Sequence, residues 1–337
     1  MTTLYLTEQG SKLSKIDERL IVSRGNETLE EIPLIKVNQV IVMGKGVRVT
    51  TPAVFALARR GVELVYLTQR GSYVSRTRGK ESKFARLRFR QALMVNDPAA
   101  TLPLAREMIR GKLLNQTALI QKRAGRSGRR AVDGIKKMIA RLDGAKDTDV
   151  LRGLEGQGAA VYFGAFRRLL RHDLGFRKRV YYPPTDPVNA ALSFGYTLLL
   201  NQLVGVVQMV GLDPYLGFFH VVDYGRPSLG LDLEEEFRPL VDRLVLDLIN
   251  EQKLERQHFA RPKREKRAVY LSDKGRHIFI PAYEALVNSV TIYSPSGKQN
   301  TYRRCFELQA RQVARIVLGK AKKYHPMAIP PVNGVQA

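Results

Sequence analysis

The hydrophobic period of this chain changes once, near residue 84, and that change limits the fold more than any other feature. Before it, apolar residues fall in short strand-like runs: Leu4-Tyr5-Leu6, Arg19 to Val22, Glu31 to Lys36, Gln39 to Met43, Val62 to Thr68 and Tyr73 to Ser75. Runs of this length suit strands rather than helices. Arg24-Gly25-Asn26, Gly44-Lys45-Gly46 and Arg70-Gly71-Ser72 separate them with turn chemistry. One helix is expected inside the region, where Thr51 can cap, Pro52 suits the first turn, and Val54, Phe55, Leu57 and Ala58 line one side before Gly61. From Phe84 onward the spacing is helical, through Leu87, Ala92, Leu93, Leu104, Met108, Leu113, Ala118 and Leu119. The chain therefore reads as α+β: a small β-rich N-terminal domain, sandwich- or roll-like, over 1–83, followed by a larger, mainly α-helical domain over 84–325. Pro326, Pro330 and Pro331 mark 326–337 as a loose, disordered tail.

At 337 residues the chain is long enough for two domains with real cores. Lys and Arg number 56 against 31 Asp and Glu, a net charge of +25, which favours a polyanionic partner: nucleic acid first, an anionic membrane second. Most of that surplus lies beyond the first domain. Between Lys122 and Arg141 there are eight basic residues and one acid, a run that reads either as a solvated face or mobile loop, or as a phosphate-binding segment. A single cysteine, Cys305, can close no intramolecular disulfide and build no thiolate zinc site, which fits a reducing compartment, the cytoplasm. The start of the chain has no basic n-region or apolar run. Val188 to Leu212 is uncharged and long enough to span a bilayer, but Asn189, Asn201, Gln202 and Gln208 would be costly there, so it reads as a buried core helix and no membrane is expected.

Three features place polar groups in apolar company. Leu151, Leu154, Gly158, Tyr162, Phe166 and Leu169 form one helical stripe with Glu155 on its flank; that carboxylate either snorkels beside Arg152 or meets a partner or metal. His220 closes Asp213-Pro214-Tyr215-Leu216-Gly217-Phe218-Phe219, where Asp213 can cap and Pro214 open a turn, and is either a satisfied core histidine or a ligand. Ser228 can cap a helix with core positions Leu229, Leu233, Phe237, Leu240, Leu244 and Leu248. On it Asp232 and Glu235 share a face, and Pro239 removes the amide that would bond the Glu235 carbonyl. Four acids at 232–236 can simply complement the helix dipole; in so basic a chain they also suggest a cation between protein and DNA. Two carboxylates and an imidazole can hold Mg²⁺ or Mn²⁺, the imidazole tilting the choice to Mn²⁺, and such an ion supports phosphoryl transfer.

Gly153-Leu154-Glu155-Gly156-Gln157-Gly158-Ala159, then Pro183-Pro184-Thr185-Asp186-Pro187-Val188-Asn189-Ala190 with Tyr196, Gly211 through His220, and Ser228-Leu229 to Phe237-Arg238-Pro239 stand in an order that resembles the CRISPR-associated integrases. The resemblance covers nearly the whole chain. It implies a DNA endonuclease and integrase that inserts short fragments at a repeat array by 3′-hydroxyl transesterification. It further implies Glu155, His220 and Glu235 as metal ligands, Asp232 as an auxiliary catalytic acid, and Mn²⁺ or Mg²⁺ as cofactor. Glu235 stands where the family often has aspartate. Double-stranded DNA, a homodimer mate and a small ferredoxin-like companion protein are the implied partners, with the N-terminal domain carrying dimer and companion contacts. The rivals are a nuclease with water as nucleophile at the same site, and a non-catalytic DNA- or RNA-binding architectural protein.

Overall fold

A computed structural model describes residues 2–69, 71, 73–77, 79, 84–262, 265 and 267–329. The chain divides into two compact units, Met1–Lys83 and Phe84–Ala337. In the first, β1 (Thr2–Leu6), β5 (Val37–Met43) and β7 (Glu63–Leu67) run parallel and β8 (Tyr73–Thr77) pairs antiparallel on the outer edge, in the order β1-β5-β7-β8. A second sheet, β4-β3-β2-β6, is built from β2 (Lys12–Ile16), β3 (Arg19–Arg24), β4 (Glu27–Pro33) and β6 (Arg48–Val49). Alternation does the packing: Leu4, Leu6, Val40, Val42 and Leu64 of one sheet share a core with Leu13, Leu20 and Val22 of the other and with Ala53 and Leu57 of α1 (Thr51–Arg59).

Strands β2 and β6 lie outside the runs expected from sequence. Lys12-Leu13-Ser14-Lys15-Ile16 places only Leu13 in the core and leaves Ile16 exposed, so pairing with β3 defines it rather than its own hydrophobic pattern. The run expected at Glu31 to Lys36 begins instead at Glu27 and stops at Pro33, with Leu34–Lys36 forming a single 3₁₀ turn. Helix α1 begins at Thr51 itself; Thr50 precedes it, and no side chain caps it.

The second unit is helical: α2 (Ala85–Val95), α3 (Pro98–Ala124), α4 (Arg129–Arg141), α5 (Thr148–Leu169), α6 (Pro187–Val210), α7 (Ser228–Asn250), α8 (Asp273–Asn288) and α9 (Tyr302–Val317). Two short hairpins accompany them, β9 (Phe259–Ala260) with β10 (Tyr270–Leu271) and β11 (Val290–Tyr293) with β12 (Lys298–Thr301). Aspartates start three of the long helices. Asp97 accepts from the Ala99 amide at 2.9 Å, Asp147 from Val150 at 2.8 Å and Asp186 from Asn189 at 2.9 Å, each satisfying an amide the helix itself leaves open. Helix α3 packs on α4, α5 and α7, and α7 packs also on α6, so α3 and α7 are central.

Three sequence expectations change, and one alternative closes. The basic run from Lys122 to Arg141 is folded, not a mobile loop: it ends α3, turns at 125–128 and forms α4, whose Ala131, Val132 and Ile135 are buried while Arg129, Arg130, Lys136 and Lys137 face outward, as Arg126 does from the turn. The C-terminal proline segment is packed as far as residue 329. Asn115 of α3 donates to the Met327 carbonyl and accepts from the Ile329 amide at 2.9 and 2.8 Å, and Met327 is fully buried; 330–337 lie outside the described residues. Ser228 is the first residue of α7 rather than its side-chain cap, and its Oγ donates to the Val221 carbonyl at 2.8 Å. Asp213 opens no helix: its carboxylate takes the Tyr215 amide at 2.8 Å in a local turn. Among the described residues one helix, Pro187–Val210, is long and apolar enough to cross a membrane, and 72% of its apolar window is buried within the protein.

Candidate active site

Four segments of the helical unit meet where α3, α5 and α7 cross: Lys112 from α3, Glu155 from α5, Glu235 and Arg238 from α7, and His220 from the loop ahead of α7. The α3–α5 approach depends on Gly158, where a Cβ would lie 2.6 Å from Leu113 Cδ2. That closeness brings Glu155, one turn earlier on α5, to Lys112, the neighbour of Leu113.

The Lys112 ammonium is the centre of the cluster. It donates to Glu155 Oε1 and lies 2.5 Å from Glu235 Oε2, with the lysine side chain only 4% exposed. Burial would lower the lysine's proton affinity, but Glu235 and then Glu155 outweigh burial and raise it, so the group is cationic. Glu235 is the mirror case. Its burial would raise the carboxyl, yet Arg238 and Lys112 hold it well below the usual range. Arg238 Nη1 reaches Glu235 Oε1 at 2.7 Å while Nη2 holds Glu234 Oε2 at 2.9 Å, so one guanidinium ties two successive acids.

His220 is oriented from behind. Its Nδ1 lies 2.8 Å from Asp232 Oδ1, an acceptor that places the ring proton on Nδ1 and leaves the Nε2 lone pair free, 3.8 Å from Glu235 Oε1. Asp232 is fully buried and also accepts the backbone amides of Phe218, Phe219 and His220 at 2.5, 3.0 and 2.8 Å. Gly217 makes this fit possible, because a Cβ there would come 2.9 Å from Asp232 Oδ2 and 2.7 Å from the Ser228 backbone.

The three consecutive glutamates therefore have three destinations. Glu235 faces the cluster, Glu234 pairs with Arg238, and Glu236 points the other way to accept from Gln309 Nε2 at 2.6 Å. Burial pushes the Glu236 carboxyl up to about 8, so it is mostly neutral at pH 7. A further buried acid, Asp242, accepts from the Tyr162 hydroxyl at 2.7 Å and from Tyr196, whose ring lies 5.1 Å from the Arg238 guanidinium.

Glu155, His220 and Glu235, singled out in the sequence, are thus brought to one place, with Asp232 behind the histidine. Among the described residues no three His, Cys, Asp or Glu side chains form a ready-made cage; a lysine ammonium stands between the two carboxylates instead. Sequence reasoning missed Lys112 and gave Arg238 no role. A signal for Lys112 existed: it lies four residues after Met108 and three after Ile109, both fully buried, so it sits on the inward stripe of α3, where a cation needs an acid.

Residues 4–285 match the family model of CRISPR associated protein Cas1. The chain belongs to the Cas1 family. Thermus thermophilus CRISPR-associated endonuclease Cas1 3 is 35% identical over 330 residues, which is 97% of this chain and 97% of the relative. A casposase bound to integration product has the same fold, with TM-score 0.86 at 23% identity, over 99% of this chain and 96% of that one. A chain of a Cas6-RT-Cas1–Cas2 complex matches with TM-score 0.83 at 22% identity, over 99% of this chain and 36% of that larger one. These two likenesses concern the fold.

Proposed function

We propose that this Cas1-family chain is a metal-dependent DNA endonuclease and integrase of CRISPR adaptation, with Glu155, His220 and Glu235 as ligands of Mn²⁺ or Mg²⁺. The observation that carries the reading is that Glu155 from α5 and Glu235 from α7 converge on the Lys112 ammonium, while the imidazole of His220, from the loop ahead of α7, faces the other oxygen of Glu235 at 3.8 Å. The donor set fits the ion: carboxylate oxygens suit a hard divalent cation, the free Nε2 adds a nitrogen ligand, and a positive charge is already what the carboxylates balance. When bound, such an ion neutralises charge developing on a phosphodiester under attack by a 3′-hydroxyl.

The chain's own groups prepare that chemistry. Asp232 holds the imidazole in the tautomer that presents Nε2, and Arg238 fixes the Glu235 carboxylate through Oε1. Arg126, Arg129 and Arg130 are exposed, and phosphate contact along this basic segment would supply non-specific affinity. Double-stranded DNA, both the incoming fragment and the repeat target, is the proposed substrate. A homodimer mate and a small ferredoxin-like companion are the proposed partners, supported by the named Cas1–Cas2 assembly of a chain with the same fold, and the cytoplasm is the proposed compartment. The Cas1 family match, with relatives named as endonucleases, favours this reading over a purely architectural DNA binder.

The test is product analysis. Incubated with Mn²⁺, an end-labelled short duplex and a repeat-containing target, the protein should yield strands longer than either input. Cut strands alone would make it a nuclease with water as nucleophile, and binding without strand chemistry would make it an architectural protein.

A further inference from the structure

Lys112 Nζ sits on one oxygen of each of the two carboxylates proposed as ligands, Glu155 Oε1 and Glu235 Oε2. We infer that Lys112 is the built-in counterion of the site and competes with the divalent ion for these two carboxylates, so that metal binding requires the ammonium to leave them. The inference rests on the metal-site reading above and adds to it what governs occupancy.

Three observations support competition over simple packing. The lysine side chain is 4% exposed, so its charge is desolvated and depends on the two acids, the only carboxylates it pairs with among the described residues. The acids come from different helices, α5 and α7, and among the described residues Lys112 is the one side chain that ion-pairs with both. Glu235 has a second cation on its other oxygen, Arg238 at 2.7 Å, so it remains paired when the ammonium withdraws, and Glu155, at 20% exposure, opens toward solvent. The arrangement keeps both ligands aimed at one point while no divalent ion is bound, and it sets a threshold concentration for the ion. Two cations cannot share those oxygens at contact distance without strong mutual repulsion.

Calorimetric titration of the full-length protein with Mn²⁺, without DNA, tests this. Lys112→Met removes the ammonium while keeping its length; it should bind Mn²⁺ at least about tenfold more tightly than the wild type and show a larger Mn²⁺-dependent rise in melting temperature, from a lower starting point. Lys112→Arg, which restores the charge, should return affinity toward the wild-type value. Unchanged or weaker affinity in folded Lys112→Met would overturn the inference while leaving the metal site intact. If neither wild type nor variant binds Mn²⁺, the metal-site reading fails and the inference with it. Should Lys112→Met not fold, a Mn²⁺-soaked crystal of the wild type decides: Nζ still bonded to both Glu155 Oε1 and Glu235 Oε2 with the ion present would overturn the inference, and Nζ withdrawn from either would support it.

Discussion

His220 Nδ1 lies 2.8 Å from Asp232 Oδ1, and the same carboxylate takes three successive backbone amides of the loop that carries the histidine. One buried acid thus shapes the loop and selects the imidazole tautomer, two tasks that a metal ligand would compromise. Asp232 therefore sits behind the histidine, supporting the ring and its loop.

Asp232→Asn keeps one of the two acceptor oxygens and loses the charge, and should lower strand transfer by about 10- to 100-fold, partly restored by excess Mn²⁺. Asp232→Ala strands the amides and should also cost about 3 kcal/mol of stability. Strand-transfer rates across a Mn²⁺ titration, with urea unfolding of both variants, check this. A fully inactive Asp232→Asn of normal stability, unresponsive to Mn²⁺, would make Asp232 a direct ligand.

The glutamates at 234–236 should separate sharply. Glu235→Gln is expected to abolish strand transfer at every Mn²⁺ concentration. Glu236→Gln replaces a carboxyl that burial already pushes up to about 8, so it should retain activity and change stability by no more than about 1 kcal/mol. Parallel activity assays and melts of the two variants test the assignment, which fails if Glu236→Gln is the inactive one.

Asp242 gives a pH signature. Burial raises its carboxyl to about 6 from an ordinary 3.8, against the opposing hydrogen bonds of Tyr196 and Tyr162. Between those values the folded state holds more proton than the unfolded one, so this group's contribution to stability falls as pH rises through that window. Asp242→Asn removes the dependence, and its stability relative to wild type should improve between pH 4 and pH 7. Denaturant midpoints at several pH values measure it; a parallel offset across the range would rule out the titration.

The basic surface should act through salt. Replacing Arg126, Arg129 and Arg130 with Ala should weaken DNA binding and flatten its log-log salt dependence by up to about one unit per lost phosphate contact. Arg311, 54% exposed and 2.7 Å from Glu307, and exposed Arg315 offer a second path on α9. Their change to Glu should impair DNA capture with little effect on melting, because exposed pairs contribute little to folding. Salt-dependent binding isotherms for both sets, with melts, decide between phosphate contacts and an ordinary solvated face.

The two-part architecture was legible because hydrophobic period is a local signal: the stripe Leu151, Leu154, Gly158, Tyr162 and Phe166 is the buried face of α5. Glu155, His220 and Glu235 were legible as chemistry out of place. Their common centre was not, since Lys112 meets partners 43 and 123 residues away and only the packing of α3 between α5 and α7 brings them together. The fate of Glu236 turned on Gln309 of α9 for the same reason, whereas Glu234 meets Arg238 four residues along its own helix. The proline-rich end misled because prolines say nothing of what anchors them; the Asn115 amide does that from the middle of α3.

The most direct measurement is strand transfer by Glu155→Ala and His220→Ala, with duplex-DNA affinity determined on the same preparations. Ligands of an ion touch few phosphates, so both variants should lose joining activity by more than about 100-fold while binding DNA nearly as tightly as the wild type. Loss of binding and joining in equal proportion, or joining that survives either substitution, would contradict the assignment of this cluster as the catalytic metal site.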